Sequence, residues 1–170
     1  MKNLIDPSAL DSTDPRDDLY TLLLEFDTAM VTTRDPERDY HSRPMALVRV
    51  EHGGALYFAT LLDAPEAHEI ANDPETLVTV QSTTHFASIT GDAMVIHSHD
   101  LLDELWSESL HIWFDSKDDP RIAILIVEPR FAEYWDQRGT TSIAFLFESL
   151  NTTGEHPHAD ETGTDMAPLH

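Results

Sequence analysis

The residues of this chain best suited to hold an anion are an arginine in a β-rich stretch and the first residues of a short helix. Arg43 lies in the segment His41-Ser42-Arg43-Pro44-Met45, where a strand is predicted to begin. A guanidinium donates two parallel hydrogen bonds to phosphate or carboxylate. Pro44 removes an amide and stiffens an edge strand, which leaves room for a flat ligand. Pro65 begins the helix, whose first amides and positive dipole end suit a phosphate.

Other side chains with possible chemistry give weaker patterns. His97 and His99 share a strand face and could ligate a metal, but a third ligand is not evident, so we expect no metal site. The chain has no cysteine, which excludes disulfides and thiolate chemistry. No serine has the context of an activated nucleophile, and no Gly-rich phosphate loop occurs. If the protein is an enzyme, a cofactor must carry the reaction.

Three helices are predicted from capping residues and hydrophobic spacing. Asp14 caps a helix whose first turn holds Pro15. A second helix runs over 65–71 and ends at Asn72-Asp73-Pro74. The third covers 100–111, with one apolar face formed by Leu101, Leu102, Leu105 and Trp106.

The strands are predicted from β-rich runs bounded by turn residues. They cover 29–33, 45–50, 55–60, 76–82, 85–97, 121–128 and 131–135, while 142–150 is ambiguous between strand and helix. The turn 51–54 makes 45–60 a hairpin, and the short gap after 82 makes the next two runs antiparallel. About six strands with three helices favour a mainly β, α+β fold: an antiparallel barrel with peripheral helices. We expect a flexible leader at 1–13, a domain at 14–150 and a disordered acidic tail at 151–170.

An ordered set of motifs resembles a known family. Ser42-Arg43-Pro44-Met45 opens a strand, Leu56 to Thr60 forms the next strand, and a short helix follows. Later segments complete the set: Leu105-Trp106, Trp113-Phe114, Asp118-Asp119-Pro120 and Glu133-Tyr134-Trp135-Asp136. Over roughly residues 18 to 138, this succession resembles the general stress protein branch of the pyridoxamine 5'-phosphate oxidase-like split barrels.

The resemblance implies a homodimer with flavin mononucleotide (FMN) in a cleft between the subunits. Ser42, Arg43, Pro44 and Met45 would line the isoalloxazine and ribityl chain, with Arg43 as a phosphate donor. Thr60 would face the ribityl-phosphate end, and an aromatic set would close the pocket, consisting of Trp113, Phe114 and Trp135. A weak flavin-dependent oxidoreductase activity belongs to this expectation.

The chain departs from the family pattern at two phosphate positions. Where relatives usually carry Ser and Lys after the strand threonine, this chain has Ala64 and Glu66. An anion in place of a cation repels a phosphate. An alternative is therefore a cofactor-free dimeric binding module that has lost the phosphate site. A true pyridoxamine phosphate oxidase is a third interpretation, which the shortage of lysine disfavours.

Simpler interpretations of the same residues stay open. Arg43 could pair with a surface acid. Trp113, Phe114 and Trp135 could be core or dimer-interface residues. Met45 could fill the core.

The charge of the chain bounds its partners. Asp and Glu number 32 against 10 Lys and Arg, a formal net charge of −22. Such a surface repels nucleic acid and anionic lipid, so we expect neither as a partner. Acids spread along the chain favour halophilic adaptation over an ordinary acidic cytosolic protein. The first residues contain no long apolar run, from which we expect a cytoplasmic location.

Overall fold

The computed structural model describes residues 14–52, 54–135 and 143–146. These residues form three α-helices and a 3-10 helix: α1 (Pro15–Leu23), α2 (Pro65–Asn72), α3 (His99–Leu105) and Glu108–Ile112. They also form seven strands: β1 (Thr28–Arg34), β2 (Tyr40–Val50), β3 (Leu56–Leu61), β4 (Glu75–Gln81), β5 (Phe86–Ile96), β6 (Ile122–Trp135) and β7 (Ile143–Leu146). No described helix has the length and apolar character needed to cross a membrane.

The strands close into a barrel. The sheet order is β3-β2-β1-β4-β5-β6-β7, every pairing is antiparallel, and β3 also pairs with β6. Six strands therefore complete the barrel, and β7 extends it at the free side of β6. The fold class predicted from the sequence, an antiparallel barrel with peripheral helices, is confirmed.

The main core lies inside the barrel and under α1. Val31, Phe58, Val78 and Ile89 point inward from four strands and are fully buried, as is Leu22 of α1. Because successive residues of a strand face opposite sides, the alternating apolar positions of β1, β4 and β5 supply this interior. The predicted start of α1 is confirmed: the Asp14 side chain accepts a hydrogen bond from the Arg16 amide at 2.9 Å.

The single helix predicted over 100–111 is wrong. α3 ends at Leu105, and Trp106 is extended with ψ 132° before the separate 3-10 helix begins. The break lets two apolar patches on the barrel wall be covered. Leu105 packs in one cluster with Ile124, whereas Leu110 of the 3-10 helix packs in another with Ala46.

The two strands predicted over 121–128 and 131–135 are one strand, β6. The pairing shifts where Thr90 lies opposite Phe131 but Gly91 lies opposite Pro129, which leaves Arg130 as the extra residue of a β-bulge. A bulge is a position where a strand tolerates proline. Gly91 is required there, because a Cβ on it would lie 2.3 Å from the Glu128 carbonyl oxygen.

Some of the remaining predictions of helices and strands are confirmed, and others fall on residues outside the described ranges. The hairpin of β2 and β3, α2, and the antiparallel pair β4–β5 are confirmed. The ambiguous segment 142–150 contains strand β7 at 143–146. The leader 1–13, the tail 151–170 and the rest of 142–150 lie outside the described residues.

Candidate ligand site

The Ser42–Met45 segment of β2 is divided between the two faces of the barrel wall. Pro44 lies opposite Met30 and Ser42 opposite Thr32, on the outer face. Arg43, opposite Val31, belongs to the inner face, and so does Met45, which is buried in the core. This division follows from the two-residue period of a strand. The segment therefore presents a polar and proline-bearing outer surface, and sends its one cation toward the end of the barrel interior.

Helix α2 closes that end of the barrel with two carboxylates. Glu66, Glu69 and Ile70 are the buried residues of this helix. They are spaced i, i+3 and i+4, so they share one helix face. The side chains of Glu66 and Glu69 are only 10% and 7% exposed. Buried carboxylates need compensating partners, and here the barrel supplies them.

Arg43 is the cation that compensates both carboxylates. Its Nη1 donates to Glu69 Oε2 at 2.9 Å, and its Nη2 donates to Glu69 Oε1 at 3.3 Å. Its Nε lies 3.8 Å from Glu66 Oε2. The contact with Glu69 is the two-point guanidinium–carboxylate geometry, and the contact with Glu66 is a longer ion pair.

Two buried threonines extend the network. Thr33 Oγ1 accepts a hydrogen bond from Arg43 Nη1 at 2.9 Å and donates to Glu69 Oε2. Thr60 Oγ1 donates to Glu66 Oε1 at 2.7 Å. Both hydroxyls are therefore committed to the carboxylates of α2.

A histidine completes the network at its more exposed side. His41 Nδ1 lies 2.9 Å from Glu69 Oε1, and since a carboxylate only accepts, this nitrogen donates. Its Nε2 lies 3.6 Å from Asp35 Oδ2. We call the whole group the Arg43 cluster, defined by Thr33, His41, Arg43, Thr60, Glu66 and Glu69.

The cluster fixes the ionisation of Glu69. Burial acts to raise the pKa of this carboxyl, but the hydrogen bonds from Arg43, Thr33 and His41 outweigh it, with the Arg43 charge adding to them, and lower the pKa to about 2. Glu69 is therefore an anion throughout the physiological range. Its charge is held by donors that favour the ionised form.

The phosphate of FMN does not fit this donor set. The resemblance assigns Arg43 and Thr60 to the phosphate end. Arg43 is already bound to Glu69, and Thr60 is already bound to Glu66. Ala64, the residue before α2, offers no side-chain hydrogen bond there. A phosphate charge about 4 Å from a carboxylate is opposed by about 4 kcal/mol at an effective dielectric of ~20. The site carries two such carboxylates.

The outer face has a different character. Pro44 and Ser42 are exposed, and Ser42 Oγ lies 2.8 Å from Thr32 Oγ1. A groove of about 460 Å³ continues across the outer face of β1, β4 and β5. Met30 and Phe86 line it at 39% and 38% exposure. Large apolar side chains that share an exposed groove mark an interaction surface.

The three aromatic residues predicted to close a pocket lie in separate surroundings within one chain. Phe114 packs against Leu110 in the apolar cover of the barrel wall. Trp113 is 42% exposed at the end of the 3-10 helix. Trp135 lies opposite Phe86 and lines the groove. Their contact with a ligand stays a prediction, as it does for Ser42, Pro44 and Met45.

Metal-ligating side chains do not gather in the described residues. Across 14–52 and 54–135, no group of three or more His, Asp or Glu side chains is placed to hold an ion. The expectation that His97 and His99 share a strand face is wrong, because β5 ends at Ile96 and His99 begins α3. Their rings have centroids 6.1 Å apart.

The resemblance predicts that Arg43, Thr60 and Glu66 share a site, but it does not predict Glu69, the residue that binds Arg43 most closely. Glu69 carried a usable signal, because it lies three residues after Glu66 and one before the apolar Ile70, on the same helix face. Thr33 had no such signal. Its place depends on the register between β1 and β2, which the sequence does not specify.

The sequence matches one family model and is similar to two known proteins. A family model described as "Pyridoxamine 5'-phosphate oxidase like" matches residues 14–158. General stress protein 26 of Bacillus subtilis is 33% identical over 94 residues, which cover 52% of this chain and 66% of that protein. Protein bli-3 of Neurospora crassa is 30% identical over 130 residues, covering 69% of this chain and 62% of that protein. The chain thus matches slightly under two thirds of the length of each relative.

Solved structures share the fold at lower identity. A general stress protein 26-related protein from Clostridium acetobutylicum superposes with a TM-score of 0.67 at 15% identity, covering 84% of this chain and 96% of that one. A general stress FMN/FAD-binding protein from Xanthomonas citri gives 0.57 at 23% identity, covering 84% and 95%. At these identities the likeness establishes the barrel and its topology.

Proposed function

The chain belongs to the pyridoxamine 5'-phosphate oxidase-like family, and from that premise we propose that it is a general-stress-type protein that binds a flavin ring. The observation that carries the proposal is the outer face of β1 and β2, where Pro44 and Met30 lie side by side and both are exposed. The polar pair Ser42 and Thr32 borders them. Cofactor sites are clefts lined mostly by apolar side chains with a few placed polar groups, and this face would supply one apolar wall and its polar border.

We further propose that the protein acts as a homodimer. The groove lined by Met30, Phe86 and Trp135 exposes apolar area that a second copy would cover. Light scattering in molar salt, which screens the charge of −22, should give twice the chain mass. A monomer under those conditions would reject the dimer.

The absorbance spectrum of the purified protein tests flavin binding most simply. Protein loaded with free flavin, then desalted, should retain visible absorbance in proportion to chain concentration. Weak flavin-dependent oxidoreductase activity would depend on that bound ring. A variant with Pro44→Asp would place a charge on the proposed ring face, and should lose the absorbance while the melting temperature stays close to the parent's. Equal retention by both proteins counts against this face.

A second candidate function has its own support. The protein would be a dimeric split-barrel binding module that uses no cofactor. The Arg43 cluster favours it, because Glu69 and Glu66 already accept hydrogen bonds from Arg43 and Thr60, the donors that the resemblance assigns to the phosphate. A desalted protein without visible absorbance after exposure to both riboflavin and FMN, yet dimeric by light scattering, would select this candidate.

A further inference from the structure

The Arg43 cluster determines which class of flavin the barrel accepts. We propose that Glu66 and Glu69 are built-in occupants of the barrel's anion site, so that the ligand is a flavin without a phosphate, of the riboflavin type. The ligand class rests on the proposed flavin function. Occupation of the anion site by the two carboxylates does not, and it can be tested separately.

Most hydrogen-bond donors of the site are already bound within the chain. Both terminal nitrogens of Arg43 donate to Glu69, at 2.9 and 3.3 Å, and Nε faces Glu66 at 3.8 Å. Thr60 is buried and donates to Glu66. A carboxylate and a phosphate present the same kind of acceptor oxygen to these donors. The two glutamates therefore take the place that an incoming phosphate would need.

The carboxylates cannot easily leave that place. Glu69 and Glu66 are less exposed than Arg43, at 7%, 10% and 23% of the side chain. They therefore lie between α2 and the barrel, with the cation nearer to solvent. Ile70, on the same helix face, is buried in the main core and anchors α2. Displacing either carboxylate would mean moving the helix or burying an unpaired charge.

Arg34, a neighbouring cation, offers no substitute. Arg34, at the end of β1, binds Asp73 at 2.7 Å and lies 3.6 Å from Glu75. Arg43 brings one positive charge to the cluster, and Glu66 and Glu69 bring two negative ones, so a phosphate dianion would meet more negative than positive charge from these three side chains. The uncharged ribityl hydroxyls of riboflavin would not be repelled. This charge balance selects against the phosphate rather than against the ring.

Two ligands that differ only in the phosphate test the selectivity directly. Riboflavin and FMN are titrated into the full chain in molar sodium chloride, and quenching of flavin fluorescence gives each Kd. The parent should bind riboflavin at least tenfold more tightly than FMN. The double variant Glu66→Gln/Glu69→Gln removes both charges at nearly constant shape, so its FMN affinity should rise at least tenfold while riboflavin changes less than threefold. A parent that prefers FMN overturns the proposal.

The matched control is Glu108→Gln/Glu128→Gln. It removes two exposed glutamates and the same formal charge, so its two affinities should follow the parent's. If it gains FMN affinity as the cluster variant does, net charge rather than local occupation is responsible, and the proposal fails.

Inorganic phosphate is a probe that needs no flavin ring. At constant ionic strength, phosphate should raise the melting temperature of the cluster variant saturably and leave the parent's unchanged. If phosphate acts in this way but neither protein binds a flavin, Glu66 and Glu69 do occupy the anion site. The same outcome rejects the flavin function, and the proposed ligand class is rejected with it. A parent stabilised as much as the variant would overturn the built-in occupants. If the double variant does not fold, the flavin preference and phosphate response of the parent decide.

Discussion

Helices α2 and α3 cover the same barrel with opposite chemistry. Under α3, Leu102 and Leu105 pack against Ile122, Ile124 and Ile126 of β6, an apolar seam without charge. Under α2, Glu66 and Glu69 meet Arg43 and two threonines. Hydrophobic burial stabilises the first contact without directional requirements. The second depends on paired, correctly placed charges. The two contacts should therefore respond differently to mutation, pH and salt.

The largest loss of stability is expected from a mutation in the apolar seam under α3. Ile124 is fully buried, and Ile124→Ala removes side-chain volume that the rigid barrel cannot refill. We expect the free energy of unfolding to fall by about 2–5 kcal/mol, as measured by denaturant titration. An equal loss in the exposed control Ile112→Ala, where the side chain is 85% exposed, would contradict the assignment of the seam.

A smaller loss of stability is expected when the charged contact under α2 is weakened. Glu69→Gln keeps the shape but leaves Arg43 with only the longer ion pair to Glu66. At neutral pH the free energy of unfolding should fall by about 2–3 kcal/mol in the same titration. Glu128→Gln, an exposed glutamate, should change it little. A Glu69→Gln variant as stable as the parent would mean that the cluster is only a solvated surface pair.

The pH dependence separates the two contacts. The pKa of Glu69 is about 2 in the folded protein, against 4.5 ordinarily. Its stabilisation is therefore complete above the ordinary value and is lost as pH falls toward 2, because the unfolded chain takes up the proton first. The stability gap between parent and Glu69→Gln should close over that window. The gap between parent and Ile124→Ala should not, and closure of both gaps would assign the effect to other acids.

The smallest expected effect is that of salt on the charged contact. The parent's melting temperature should climb from low to molar salt, because the chain carries a net charge of −22. The difference between parent and Glu69→Gln should hardly move, since a buried pair is screened little. By contrast, Lys117 and Asp103 form an exposed pair at 2.8 Å. The melting temperatures of the parent and Asp103→Asn should therefore differ slightly at low salt, and this difference should vanish in molar salt.

The apolar half of this comparison was predictable from the sequence, and the charged half only in part. The spacing of Leu101, Leu102 and Leu105 predicts a buried helix face, and the barrel follows from the runs of β-branched residues. The sequence does not predict the break at Trp106, because helical spacing cannot show that Leu110 packs in a separate patch on the barrel wall. In the same way, the sequence predicts separate strands over 121–128 and 131–135, because a bulge can be recognised only when the partner strand is known.

The Arg43 cluster shows why polar sites resist prediction. Arg43, Thr60 and Glu66 were singled out by residue type and resemblance, and the structure brings them together. Thr33 and Glu69 come from β1 and α2, and their contact with Arg43 depends on strand register and on how α2 is seated. Neither the strand register nor the position of α2 on the barrel is encoded in local spacing. Apolar burial tolerates small errors of register, whereas a two-point hydrogen bond does not.

If Glu69 occupies the anion site, it must be energetically coupled to Arg43, and a double-mutant cycle measures that coupling directly. Unfolding free energies of the parent, Arg43→Met, Glu69→Gln and the double variant, all at neutral pH in molar salt, give one coupling energy. The contact at 2.9 and 3.3 Å predicts a coupling of at least about 1.5 kcal/mol, with the double variant less destabilised than the sum of the single ones. Additive losses, with a coupling near zero, would contradict the claim that Glu69 occupies the anion site of this barrel.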